Sequence, residues 1–192
     1  AILFAQLGAS LALVARNKER LQETLMRLEG KGHNFYSFDL NPIEEIPNLV
    51  KSIVGDTGPL SGIFHSAGIA PMLSIKSVKR STIVSPFMTS VFASLMFGKA
   101  LCQKGVQAQG GASLVFMSSA AALTGTKGLS VYAASKAAVD GAVRALAIEL
   151  AEKNIRVNSI AAGMVQTEMH AALLDGMSDE AVEERRRQHP LG

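Results

Sequence analysis

Residues 112–143 read ASLVFMSSAAALTGTKGLSVYAASKAAVDGAV. The first six, Ala112 to Met117, form a compact apolar run of strand length. Small and polar residues follow, and from residue 130 the pattern changes: Val139, Val143, Leu146 and Leu150 recur at helical spacing over residues 130–152. A buried strand, a loop and a helix with one apolar face are half of a β-α-β unit. The same alternation appears on both sides of this stretch. Residues 11–15 (LALVA) read as a strand, and Asn17 caps a helix whose Leu21, Leu25 and Leu28 share a face before Gly30 and Gly32 end it. Residues 33–38 form a strand closed by Asp39-Leu40-Asn41-Pro42, residues 43–54 a helix, and residues 60–65 a strand that stops at Ser66-Ala67-Gly68. A long helix over 81–104, a last strand over 155–160 and a charged helix over 178–187 complete the pattern. Strands separated by helices predict an α/β fold: a doubly wound parallel sheet with helices on both faces. No repeat, low-complexity tract or linker divides residues 1–192, so a single domain is expected.

Composition narrows the function. Apolar residues make up 48% of the chain, enough for a packed core rather than disorder. The net charge is +3, and apart from Arg185, Arg186 and Arg187 the basic residues are scattered with no aromatics among them. That argues against nucleic acid as a partner and for a solvated helix face. Cys102 stands alone, which forbids an intrachain disulfide, supplies no metal cluster and suits a reducing cytoplasm. Residues 1–15 resemble the apolar part of a signal peptide but lack a basic start and carry Gly8-Ala9-Ser10 in the middle. Residues 83–101 are apolar but interrupted by Pro86 and several Ser and Thr, so no membrane span is expected. The chain has no initiator Met and opens inside what reads as a helix, so it is expected to be incomplete at its start.

In open parallel sheets, ligands sit beyond the carboxyl ends of the strands. That rule selects the loops starting at Arg16, Asp39, Ser66, Ser118 and Ala161. The chemistry is richest in Ser118-Ser119 and Tyr132-Ala-Ala-Ser-Lys136. Tyr132 and Lys136 are four residues apart and share a helix face. A nearby ammonium favours the phenolate, lowers the phenol pKa and makes the pair an acid/base near neutral pH. Ser119, on the loop just after its strand, brings a hydroxyl to the same space. A hydroxyl, a phenol and an ammonium suit carbonyl reduction, where hydride attack creates an alkoxide that needs a hydrogen-bond donor and then a proton. Taken alone, Tyr-x-x-x-Lys is usually an ordinary helix pair, so the weight falls on its surroundings. Asp39 reads equally well as a turn or capping residue.

The segment from Ser118 to Val139, with Ser119 thirteen residues before Tyr132, resembles the active-site segment of the short-chain dehydrogenase/reductase family. The likeness runs over essentially the whole chain. Residues 1–16 are similar to the family's first helix and second strand, Asp39-Leu40 to its adenine-contacting acidic pair, and Ser66-Ala67-Gly68 to the end of its Asn-Asn-Ala-Gly motif. Ile155-Arg156-Val157-Asn158, with Gly163 and Thr167, resembles the segment that reaches the nicotinamide half. The resemblance implies a Rossmann-like fold. It makes Tyr132 the general acid/base, Lys136 the residue that lowers the Tyr132 pKa and holds the nicotinamide ribose, and Ser119 the residue that orients the carbonyl. It assigns Arg16, Asp39, Leu40, Ala67, Gly68, Val165 and Thr167 to the cofactor, beside Tyr132 and Lys136.

Arg16 followed by Asn17 is similar to the family's NADP-binding variant, because a guanidinium pairs with a 2′-phosphate that a carboxylate would repel. With no acidic residue at positions 14–17, NADP(H) is expected in preference to NAD(H). The implied activity is NADP(H)-dependent interconversion of a small-molecule carbonyl and a secondary alcohol, with a lean towards 3-oxoacyl-thioester reductases. A cytoplasmic homodimer or homotetramer is also implied. Its interface would use residues 81–104, presenting Val91, Leu95 and Phe97, and residues 130–152, presenting Ala134, Ala138 and Ala142.

The sequence also departs from the family. The glycine-rich phosphate loop would precede Ala1 and the final strand would follow Gly192, so the sheet is expected to be incomplete at both ends. The strand lacking at the start would lie between residues 11–15 and 60–65, and the chain as it stands is expected to fold poorly and bind dinucleotide weakly. His65 and Ser66 replace the two Asn of the Asn-Asn-Ala-Gly motif, Ser90 takes the place of the catalytic Asn, and Ala162 replaces a Pro. These departures motivate an alternative: a non-catalytic homologue that binds only nucleotide or a partner. A sugar-nucleotide epimerase is disfavoured because it needs a large substrate domain. Substrate contacts are expected on 69–80, 123–130 and 166–190, with Met164, Met169 and Met177 offering an adaptable apolar wall.

Overall fold

The apolar runs become strands in the computed structural model. It describes residues 1–168 and, beyond them, 171, 174, 177, 178, 180, 182, 183 and 187. In chain order the elements are α1 (Ile2–Gln6), β1 (Ala12–Ala15), α2 (Lys18–Met26), β2 (Asn34–Ser37), α3 (Ile46–Thr57), β3 (Gly62–His65), α4 (Arg80–Phe87), α5 (Ala93–Leu101), β4 (Ala112–Ser119), α6 (Ser130–Glu149) and β5 (Ile155–Ala162). Among the described residues every strand pairing is parallel: β1 with β2, and β3 with β4 with β5, so β4 lies in the middle of three. β1 and β3 are not hydrogen-bonded to each other, so the strands of the described residues form two sheets, parting where a strand was expected to be lacking, between residues 11–15 and 60–65. Instead, the Phe4 ring of α1 lies against Phe64 of β3, with centroids 6.2 Å apart.

Local chemistry sets the boundaries. Asn17 caps α2 by accepting from the Arg20 N–H at 2.8 Å, and Gly30 and Gly32 adopt positive φ after it. Alternate residues of β4, Ala112, Leu114, Phe116 and Ser118, are buried. They meet Val139, Val143 and Leu146 of α6, Phe97, Ala100 and Leu101 of α5, and Ile46 and Val50 of α3 in one core. Complete burial of Leu114 and Phe116 contributes roughly 1.5–3 kcal/mol for each side chain. Asn154, in the left-handed region at φ 55°, turns the chain into β5 and donates from Nδ2 to the Gly110 carbonyl at 3.2 Å.

The long helix is not continuous. A π turn, Met88–Phe92, separates α4 from α5, following Pro86, whose missing N–H cannot complete an α-helical hydrogen bond. The turn re-aims the face of α5. Val91 and Phe97, expected on an oligomer surface, are buried in the core, and of that trio only Leu95 is exposed. The stretch Arg80–Leu101 is long and apolar enough to cross a membrane. It nevertheless packs Ala93, Phe97, Ala100 and Leu101 into the core shared with β4. β4 also runs two residues further than expected, so Ser118 and Ser119 lie on the strand rather than on the loop after it. The charged helix expected over 178–187, and Met169, fall largely outside the described residues.

Candidate active site

The site lies where β3, β4 and β5 end. Neighbouring residues on a strand point to opposite faces, and this separates the two serines at the end of β4. Ser118 Oγ donates to Asp140 Oδ2 at 2.8 Å. Ser119 Oγ instead accepts from the Ala121 N–H at 3.2 Å, opening a short 3₁₀ turn, Ala120–Ala122, and keeping its own proton for another acceptor.

From β4 the chain loops out and returns at α6. The loop is held by Leu73 N–H donating to the Gly128 carbonyl at 3.0 Å, which joins the two segments expected to touch substrate, 69–80 and 123–130. Exposed apolar side chains, Met72, Ile75 and Leu123, line these segments. The first turns of α6 carry Tyr132, half-buried, and Lys136, only 4% exposed. Ser135 donates to the Tyr132 carbonyl at 2.7 Å. Lys136 Nζ donates to the Met117 carbonyl at 2.7 Å and lies 5.7 Å from the centroid of the Tyr132 ring. Burial pushes the Lys136 ammonium down to about 8, opposed by the negative charge of Asp140.

Gly68 and Ser90 complete the floor. A Cβ on Gly68 would lie 3.3 Å from Lys136 Nζ and 3.6 Å from Ser90 Oγ, so β3's loop, the π turn and α6 converge there. Ser90 is 1% exposed and its Oγ has no hydrogen-bond partner among the described residues. Beside it, His65 Nε2–H donates to the Thr89 carbonyl at 2.9 Å, and its ring packs on Phe97 and Phe116. Burial pushes His65 down to about 4, aided by the Lys136 charge and opposed by the Thr89 hydrogen bond. It is therefore neutral near pH 7. His65, standing where the resemblance expects an Asn, thus ties β3 to the bent helix through an uncharged ring.

The residues expected to contact cofactor are more dispersed. Arg16 is exposed at the carboxyl end of β1, and its carbonyl accepts from Ser37 Oγ at 2.9 Å. Asp39 accepts from Asn41 N–H at 3.1 Å and from Asn41 Nδ2 at 3.2 Å, the turn-forming role that its sequence position also allowed. Leu40 packs against the core, while Ala67 is exposed beyond β3. Val165 and Thr167 are exposed on the segment after β5. The next residue, Glu168, forms a two-point ion pair with Arg20 of α2, at 2.7 and 2.9 Å. It links the segments following β1 and β5. The Met117 carbonyl and Asp140 were missed from sequence. A main-chain acceptor leaves no side-chain signature, whereas Asp140, four residues after Lys136, carried a helical-spacing signal.

Comparison with known proteins adds four similarities. A family model described as Enoyl-(Acyl carrier protein) reductase matches residues 1–192. Carbonyl reductase family member 4 of Danio rerio is 34% identical over 190 residues, covering 99% of this chain and 76% of that protein. The 3-oxoacyl-[acyl-carrier-protein] reductase of Homo sapiens is 35% identical over 167 residues, covering 87% and 70%. Among solved structures, a short chain dehydrogenase of Escherichia coli CFT073 complexed with NADPH superposes with a TM-score of 0.82 at 27% identity, covering 94% of this chain and 77% of that one.

Proposed function

This chain belongs to the short-chain dehydrogenase/reductase family and is an oxidoreductase, and on that premise we propose that it interconverts a carbonyl and a secondary alcohol with NADP(H). The observation that carries this reading is Lys136 Nζ, buried, bonded to Met117 O at 2.7 Å and 5.7 Å from the Tyr132 ring, on the strand end that holds Ser119.

The residues present suit the cofactor. Arg16 is an exposed guanidinium with no carboxylate at positions 14–17, a match for a 2′-phosphate. Gly68, Ala67, Leu40, Val165 and Thr167 would line the rest of its path, and Lys136 would hold the nicotinamide ribose. When bound, the nicotinamide gives or takes the hydride.

The protein's own groups handle the proton and the developing charge. In the reducing direction, Ser119 Oγ–H donates to the substrate carbonyl oxygen, and the Tyr132 hydroxyl transfers its proton to that oxygen as it becomes an alkoxide. The phenolate left behind is stabilised by the Lys136 ammonium. Oxidation runs the same steps backwards. The substrate class we favour is a 3-oxoacyl thioester, on the strength of the relative so named and of the apolar Met72, Ile75 and Leu123 beside the site. A cytoplasmic homo-oligomer is part of the same reading. The exposed Ile83, Val84, Phe92 and Leu95 on α4, the π turn and α5, with Ile148 on α6, offer apolar surface for a second copy.

The test is to incubate the full-length protein with NADPH and a ketone panel that includes 3-oxoacyl thioesters, following loss of reduced nicotinamide. Turnover with at least one ketone is expected, fastest with a thioester. Nucleotide binding without turnover on any member would contradict it and favour a non-catalytic role.

A further inference from the structure

Beneath Tyr132 and Lys136 lies a carboxylate that the proposed chemistry leaves unused. Asp140 follows Lys136 by one turn of α6, so the two occupy the same face. Its Oδ2 accepts from Ser118 Oγ of β4 and its Oδ1 from Ser159 Oγ of β5, both at 2.8 Å. Ser118 Oγ also lies 3.4 Å from the Lys136 carbonyl oxygen. One half-buried side chain thereby fastens the catalytic face of α6 to two adjacent strands, one of which ends in Ser119.

A clamp alone would need no charge: an amide could accept from one serine hydroxyl and donate to the other. The site's charge balance gives the carboxylate a second task. Around the buried Lys136 ammonium, β3 contributes the neutral His65, β4 the Met117 carbonyl, the π turn the Ser90 hydroxyl, and α6 the Tyr132 ring and Asp140. Among these groups Asp140 is the one that carries a negative charge. Its two serine partners donate only neutral hydrogen bonds, so that charge remains available to the ammonium.

We propose that Asp140 is a positioning residue: it seats the Tyr132–Lys136 face on β4 and β5 and, by its charge, keeps the buried Lys136 ammonium protonated at the pH of turnover. The assignment of a role in turnover rests on the proposed oxidoreductase function. The electrostatic link to Lys136 does not. Burial alone disfavours the ammonium, and the Asp140 charge opposes that effect.

The test compares the full-length wild type with Asp140→Asn, which keeps the shape and removes the charge, and Asp140→Glu, which keeps the charge. Lys136 is titrated directly by NMR of ¹³Cε-labelled lysine, its resonance assigned by its absence in Lys136→Met, and the pH profile of kcat/KM is recorded in parallel. In Asp140→Asn the Lys136 titration and the alkaline limb of kcat/KM should both move down by about one pH unit, with the melting temperature little changed. In Asp140→Glu both should stay near the wild-type positions. An Asp140→Asn variant whose Lys136 titration and alkaline limb match the wild type would overturn the proposal and leave Asp140 a plain clamp. Should Asp140→Asn not fold, Asp140→Glu decides: a Lys136 titration displaced downwards although the charge is retained contradicts the proposal. A wild type without turnover contradicts the proposed function alone, because the Lys136 titration is read without turnover.

Discussion

Lys136 Nζ is hydrogen-bonded to the Met117 carbonyl at 2.7 Å, joining a side chain of α6 to the backbone of β4 two residues before Ser119. The bond fixes a charge where the fold disfavours it. With the folded value pushed down to about 8 from an ordinary 10.5, the unfolded chain holds the extra proton between those values, so Lys136 makes stability rise as pH climbs from 8 to 10.5. Below pH 8 the cost is present in full.

Lys136→Met should therefore stabilise the protein at pH 7 while destroying turnover. Removing the buried charge gains roughly 3 kcal/mol and losing the hydrogen bond costs roughly 1, leaving about 2 kcal/mol net. Denaturant unfolding at pH 7 and pH 10 checks this. The gain should shrink at pH 10, and a destabilised variant at pH 7 would contradict the charge assignment.

His65 predicts the acid side. Its folded value, about 4, lies below the ordinary 6.5, so the unfolded chain takes up a proton first as pH falls. The stability it contributes is complete above pH 6.5 and lost progressively towards pH 4. Between pH 7 and pH 4.5 the wild type should lose about 2 kcal/mol more than His65→Asn. Equal losses in urea unfolding would show that His65 is not held neutral.

Gly68 sits where an added methyl meets two groups at once, Lys136 Nζ at 3.3 Å and Ser90 Oγ at 3.6 Å. The Lys136 side chain cannot yield without lengthening its bond to Met117. Gly68→Ala should cost about tenfold in kcat/KM, and Gly68→Val should cost more. Wild-type kinetics in Gly68→Val would mean the close approach has no bearing on the site.

Much of this arrangement was legible in the sequence because it is written in period and spacing. The run at 112–117 and the helical repeat of Val139, Val143 and Leu146 located β4 and α6, and Tyr132 and Lys136 four residues apart had to share a face. What stayed hidden depends on tertiary context. The break at Met88–Phe92 requires knowing how a π turn absorbs Pro86, and it is that break which turns Val91 and Phe97 inward. The bridge from Asp140 to Ser118 and Ser159 joins residues 22 and 19 positions away, beyond any local pattern. The parting of β1–β2 from β3–β4–β5, by contrast, falls where the resemblance placed a lacking strand, between residues 11–15 and 60–65.

Arg16 tests the cofactor preference. Arg16→Asp replaces an exposed guanidinium at the end of β1 by a charge that repels a 2′-phosphate. The ratio of kcat/KM for NADPH to that for NADH should fall by about tenfold or more, as expected for one lost charge-assisted hydrogen bond. An unchanged ratio would remove Arg16 from the cofactor site.

Tyr132→Phe in the full-length protein, measured for both kcat and NADPH affinity, bears most directly on the central claim. The hydroxyl supplies the proton while the ring supplies the packing beside Lys136. The variant should lose about 100-fold or more in kcat and keep its NADPH dissociation constant within about threefold of wild type. A kcat above about one tenth of wild type would contradict Tyr132 as the general acid.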